Sequence, residues 1–163
     1  MHVWTIERWE KFYCDTDNFY RKGLRVHIQK DVDLRVKDAV KDFSKWMRVN
    51  YYFPIRINIY IKSSKFIKAQ DKTRVSATFF EPEDRYQEPY ARIAVGDYYD
   101  MLEKYGPNSA LAAILGSIAH ELTHYYQWIN NLLLTDMGRE RQATMYSKYI
   151  VHEYAASKDD LIS

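Results

Sequence analysis

The chain has 163 residues, 47% of them hydrophobic. That is enough for the core of one globular domain, and the length leaves little room for two. A net charge of +2 makes no electrostatic case for a nucleic-acid or anionic-membrane partner, and the single cysteine, Cys14, excludes an internal disulfide and a thiolate-rich zinc site.

The first residues, Met1-His2-Val3-Trp4-Thr5-Ile6-Glu7-Arg8, contain no uninterrupted apolar run of the secretory kind. The longest apolar stretch, Ala110 to Ala119, is far too short to span a bilayer. The expectation is a cytoplasmic protein with no membrane partner. Its 15 tyrosines read as amphipathic packing at the edge of the core.

In chain order, residues 1–97 are strand-rich and 98–163 helical, within one domain. Leu24 to Ile28 alternates as a strand. Asp33 to Val49 carries Val36, Val40, Phe43 and Met47 at helical spacing. Phe53 to Ile61 alternates again. Two short strands follow near Ser76 to Phe80 and Tyr90 to Val95, separated by the turn-like Glu81-Pro82-Glu83-Asp84. The basic residues Lys62, Lys65, Lys68, Lys72 and Arg74 between strands read as a solvated loop rather than a nucleic-acid surface. A helix from Tyr98 to Tyr105 stops at Gly106-Pro107. Asn108 or Ser109 can cap the next, running from Ala110 to about Ile129. The pattern breaks from Asn130 to Gly138, and a last helix runs from about Arg139 to Ser157. Strands first and packed helices last define an α+β class.

His120 and His124, in His120-Glu121-Leu122-Thr123-His124, leave one face of the third helix, about 6 Å apart along its axis. Two imidazoles so placed can close on one zinc ion, and Glu121 between them can serve as general base toward a metal-activated water. Small residues precede the motif (Ala113, Gly116, Ser117), as the floor of a cleft requires. Glu121 would have no use in a purely structural site.

A catalytic zinc takes three protein ligands and keeps one position open. The pattern that supplies a third histidine wants Gly at 127 and His at 130, where this chain has Gln127 and Asn130. A carboxylate from the last helix is the remaining source. Glu140 and Glu153 compete, each in a Glu-x-x-Ala context. In an antiparallel helical hairpin centred near Thr135, His124 faces the first turns of the last helix, which favours Glu140. Glu153 lies roughly 20 Å further along the axis.

With these residues in place, Ile118 to Trp128 followed by Glu140-Arg141-Gln142-Ala143 resembles compact gluzincin metallopeptidases, in particular the minigluzincins and the small SprT-like or IrrE-like phage and bacterial proteins. The likeness covers about the last third of the chain. It implies a small, twisted, mostly antiparallel sheet packed on an active-site helix and a following glutamate helix. It also implies a bound Zn2+, hydrolysis of peptide bonds in a peptide or protein substrate, and substrate binding by strand addition at an edge strand near Tyr90 to Val95. SprT-type proteins supply a third histidine, whereas here no His follows His124 until His152. Many gluzincins also place Asp one turn after the ligand Glu, where this chain has Thr144 or Ser157.

Tyr146, Tyr149 and His152 are candidates for a second donor to the developing oxyanion. Three other readings follow from the same residues: a regulatory metallo-domain without turnover, a nucleic-acid-associated protease, and a protease held latent by Met1 to Lys22 or by the tail Lys158 to Ser163.

Overall fold

The computed structural model describes residues 1–13 and 23–160, the last two without their side chains. Cys14, the rest of the segment to Lys22 and the tail after residue 160 lie outside the described residues.

Strand β1 (Leu24–Ile28) leads into helix α1 (Leu34–Asn50). Asp33 caps that helix by accepting from Arg35 N at 2.8 Å. β2 (Ile57–Lys62) follows, then the small hairpin β3 (Ile67–Lys68) and β4 (Arg74–Val75), β5 (Ala77–Phe80) and β6 (Tyr90–Ala94). The helical part is α2 (Tyr98–Tyr105), α3 (Pro107–Ile129) and α4 (Asp136–Asp160).

β2 starts at Ile57 rather than Phe53. The preceding stretch docks instead on Tyr125, whose buried hydroxyl donates to the Ile55 carbonyl at 2.5 Å and accepts from Ile55 N at 3.1 Å. α3 starts at Pro107, earlier than the Asn108 or Ser109 cap expected. Pro is well placed at a first helical position, and Gly106, at φ 85°, makes the corner between α2 and α3 that other residues resist. α4 starts at Asp136, because Thr135 Oγ1 accepts from Gly138 N at 3.0 Å and caps it. The basic loop forms β3–β4, turning where Asp71 accepts from Thr73 N and Oγ1.

The α+β class is as expected, but the sheet is mixed rather than mostly antiparallel. Its order is β1-β2-β6-β5. β1 and β6 flank β2 in parallel, and only β5 pairs antiparallel, with β6. The cause lies in the connections. Parallel neighbours need a long crossover, and α1 supplies one between β1 and β2, residues 63–89 the other. Tyr90 to Ala94 is consequently an interior strand. The edge expected there is corrected to β5, which pairs along its outer side.

Ile57, Ile59 and Ile61 put one face of β2 into the core. Val36, Val40, Phe43 and Met47 of α1, all fully buried, pack in the same cluster as Ile114, Ile118 and Leu122 of α3. One core thus joins the strand-rich and helical parts, and α4 packs along α3.

Residues 1–13 fasten the two site helices. Trp4 Nε1 donates to Thr123 Oγ1 at 3.0 Å, and Thr123 Oγ1 donates to the Ala119 carbonyl at 2.8 Å. Trp9 N donates to Asn130 Oδ1 at 2.9 Å. On α4, Tyr146 Oη accepts from Val3 N and donates to the Met1 carbonyl.

Candidate metal centre

α3 presents His120 and His124 one turn apart, with ring centroids 5.0 Å apart and planes at 79°. α4, running back along α3, presents Glu140 from its second turn. Glu140 Oε2 lies 3.0 Å from His120 Nε2, and Glu140 Oε1 lies 3.0 Å from His124 Nε2. The three donor atoms fall within 4.8 Å of one another. Glu153, the competing ligand, accepts from Tyr51 Oη at 2.5 Å and so belongs to a different contact of α4.

The fit of a cation can be tested on the hydrogen bonds alone. Gln127 Nε2 donates to the Arg139 carbonyl at 3.1 Å and to Gln142 Oε1 at 2.9 Å. A carbonyl only accepts, so the Gln127 amide has one orientation, and its Oε1 faces His124 Nδ1 at 2.8 Å. Nδ1 therefore carries the proton. Burial holds the His124 pKa below its usual value, so the ring is neutral at pH 7 and Nε2 keeps a lone pair. That lone pair faces a carboxylate oxygen at 3.0 Å. Two acceptors at this separation repel unless a cation sits between them. Zinc bond lengths of about 2.05 Å set ligand atoms about 3.3 Å apart in a tetrahedron, within a few tenths of an ångström of the two histidine–glutamate separations. Two imidazole nitrogens and a carboxylate are also the donor set of a catalytic rather than a closed structural zinc.

Glu121 is 7% exposed. Burial, with the Glu140 charge adding to it, pushes its carboxyl up to about 8 when no cation is beside it. Two clefts meet at His120 and Glu121. One, of about 890 Å³, runs along α3 past Ala113, Gly116 and Ser117 to Lys148 and His152 of α4. The other, of about 520 Å³, contains His124 and Glu140 and is bounded by Phe79, Glu81 and Arg139. Ala77 of β5 lines both. β5 bonds to β6 through Ser76, whose carbonyl accepts from Ala94 N at 2.8 Å. Alternation along the antiparallel ladder then turns the backbone groups of Ala77 and Phe79 to the free edge, over the metal site.

None of the candidates for an oxyanion donor stands at the metal. Tyr146 is spent on Met1 and Val3, and Tyr149 packs against His2. His152 lines the larger cleft but is twelve residues, about 18 Å of helix, beyond Glu140. The described residues 1–13 line neither cleft. Gln127 is the functional residue that sequence reasoning missed. Its signal was its position three residues after His124, on the same helical face.

No family model, no characterised protein and no solved structure matches this chain. The site itself carries the assignment: His120-Glu121-x-x-His124 with Glu140 forms a zincin-like metal-binding cluster, consistent with a gluzincin-type fold, in an α+β domain. Among the described residues, no helix is long and apolar enough to cross a membrane.

Proposed function

We infer that the protein is a zinc-dependent metallopeptidase of the gluzincin type, with His120, His124 and Glu140 holding the metal and Glu121 as general base. The observation that carries this reading is the pair of 3.0 Å contacts from one carboxylate to two imidazole nitrogens one helical turn apart. A zinc ion there would supply Lewis acidity toward a carbonyl and bring the pKa of a water to about 7.

The chain's own residues do the rest. Gln127 fixes the His124 ring, and Glu140 reaches both histidines from the neighbouring helix. Glu121 stands where the two clefts meet, takes the proton from the attacking water and returns it to the leaving amine. Ala77 and Phe79 offer the free edge of β5 to an extended peptide, which supports a peptide or protein substrate. The minigluzincin, SprT-like and IrrE-like proteins are the relatives that the motif suggests, and a cytoplasmic location accords with the single cysteine.

The test combines metal content with turnover of an internally quenched peptide library. Wild type should hold close to one zinc per chain and cleave. Glu121→Gln should keep the metal and lose cleavage. Glu140→Gln should lose both, whereas Glu153→Gln should keep both. A wild-type protein that takes up no stoichiometric zinc would overturn the reading.

A further inference from the structure

The sheet has two edges. β5 faces the metal centre, and β1 closes the opposite end. In β1 the ladder toward β2 uses alternate residues. The Gly23 carbonyl accepts from Ile57 N at 3.0 Å, and Gln29 N donates to the Ile61 carbonyl at 3.1 Å. In this parallel register Arg25 and His27 serve the same ladder, so the N–H and C=O groups of Leu24, Val26 and Ile28 point outward. Arg48 Nε takes the Leu24 carbonyl at 3.0 Å. Among the described residues, no hydrogen bond reaches the outward backbone groups of Val26 and Ile28.

Beside this edge, on the α1 side, lies a groove of about 360 Å³. Val26 and Ile28 supply its apolar wall, and Lys30, Lys37, Lys41 and Arg48 surround it. Among the described residues, no carboxylate lines it. Of the acids on α1, Asp38 is outside the lining, and Asp42 is engaged by Lys158 at 2.5 Å and by Tyr154. Lysines on an edge strand commonly serve to block further pairing. Here Lys37, Lys41 and Arg48 come from the neighbouring helix, and the strand's own side chains facing the groove are Val26 and Ile28.

We propose that the β1 edge and its cationic groove form a docking site for an extended acidic peptide segment of a partner protein. The geometry matches that ligand in two ways. The backbone groups of Val26 and Ile28 can accept an added strand. Alternate residues of such a strand fall about 6.7 Å apart on one face. Lys37 and Lys41, one helical turn apart, are spaced by about 6 Å along α1. Carboxylates at every second position then meet successive cations across the groove. A nucleic acid would satisfy the charges but leave the edge backbone unpaired. The site is remote from the metal and independent of the peptidase reading.

The test is fluorescence anisotropy with full-length protein and a labelled, end-capped peptide of alternating Glu and Val. Three probes accompany it: a block isomer of the same composition, a version N-methylated at alternate residues, and a single-stranded oligonucleotide. The alternating peptide should bind equally well with or without zinc, and more weakly as salt rises. Lys37→Glu with Lys41→Glu should weaken it at least about tenfold. N-methylation in the phase that faces β1 should weaken it comparably with no change to the protein. Equal binding of all the anions would overturn the proposal in favour of a nonspecific polyanion surface. No binding of the alternating peptide would show that the cations only block the edge.

Discussion

Gln127 Oε1 sits 2.8 Å from His124 Nδ1 and so decides which nitrogen of that histidine faces Glu140. Partners of this kind fix tautomer and ring orientation and are worth about 10–100-fold in metal affinity. Gln127→Leu should weaken zinc binding by that factor in a competition titration with a chromophoric chelator. Gln127→Glu keeps an acceptor for Nδ1 while losing the donor to the Arg139 carbonyl, so it should recover affinity relative to Leu. Equal weakening in both would mean that Gln127 acts through packing alone.

Glu121 gives the metal-free protein a signed pH dependence. Its carboxyl is pushed from 4.5 up to about 8 by burial and by the Glu140 charge. Between those values the folded state holds a proton that the unfolded state has released, so stability falls as pH rises from about 5 to 8. Below the lower value the contribution is fully present, and above the upper it is gone. Thermal unfolding in chelator should show wild type losing stability across this window relative to Glu121→Gln, the two converging toward acid pH. Zinc should flatten the difference, since a dication favours the ionised carboxylate. Parallel pH profiles in chelator would show that Glu121 does not carry the effect.

The motif was legible because its chemistry is local. His120, Glu121 and His124 need only one helical turn to converge, and a 3.6-residue period fixes that without any tertiary knowledge. Glu140 was reachable by counting back across a short hairpin, and Glu153 was separable from it by distance along the axis. The mixed sheet was not legible. Period-two alternation in Phe53 to Ile61 reports a buried face but not which strand pairs on either side. The edge at Tyr90–Val95 is what the gluzincin resemblance implies, and no residue pattern in the chain corrects it to β5. The hairpin β3–β4 was hidden by its charge: Lys68 and Arg74 pair backbone to backbone while their side chains look like a loop. Trp4 against Thr123 could not be read at all, because 119 residues separate them and neither sits in a pattern.

That contact carries a third prediction. Thr123 is fully buried within the metal motif, and its hydroxyl is the acceptor for Trp4 Nε1 at 3.0 Å. Thr123→Val keeps the shape and strands a buried indole N–H, which costs about 1–3 kcal/mol. Trp4→Phe removes the donor as well, so the double variant should be less destabilised than the sum of the two single ones. Urea unfolding with zinc present and absent measures both. Additive losses would mean that the two residues are not coupled through this hydrogen bond.

Gly96 is required by a close approach rather than by its backbone angles. It follows β6 where the chain crosses the end of β2: Val95 N donates to the Lys62 carbonyl at 2.9 Å and Gly96 N to the Ser64 carbonyl at 2.8 Å. A Cβ at position 96 would come to 2.5 Å from the Ser63 carbonyl oxygen and 2.6 Å from Lys65 N. These are backbone atoms, so no rotamer change can relieve the clash, and the two strand ends must move apart. Overpacking of this kind costs about 1–3 kcal/mol. Gly96→Ala should therefore lower the unfolding midpoint although it deletes no interaction, whereas Gly116→Ala, where an added Cβ meets nothing within 4 Å, should be neutral or slightly stabilising through helix propensity. Gly116 also lines the larger cleft, so the same substitution should alter peptide turnover while leaving zinc content unchanged. A Gly96→Ala protein as stable as wild type would mean that the β2 and β6 ends are looser than their hydrogen bonds indicate.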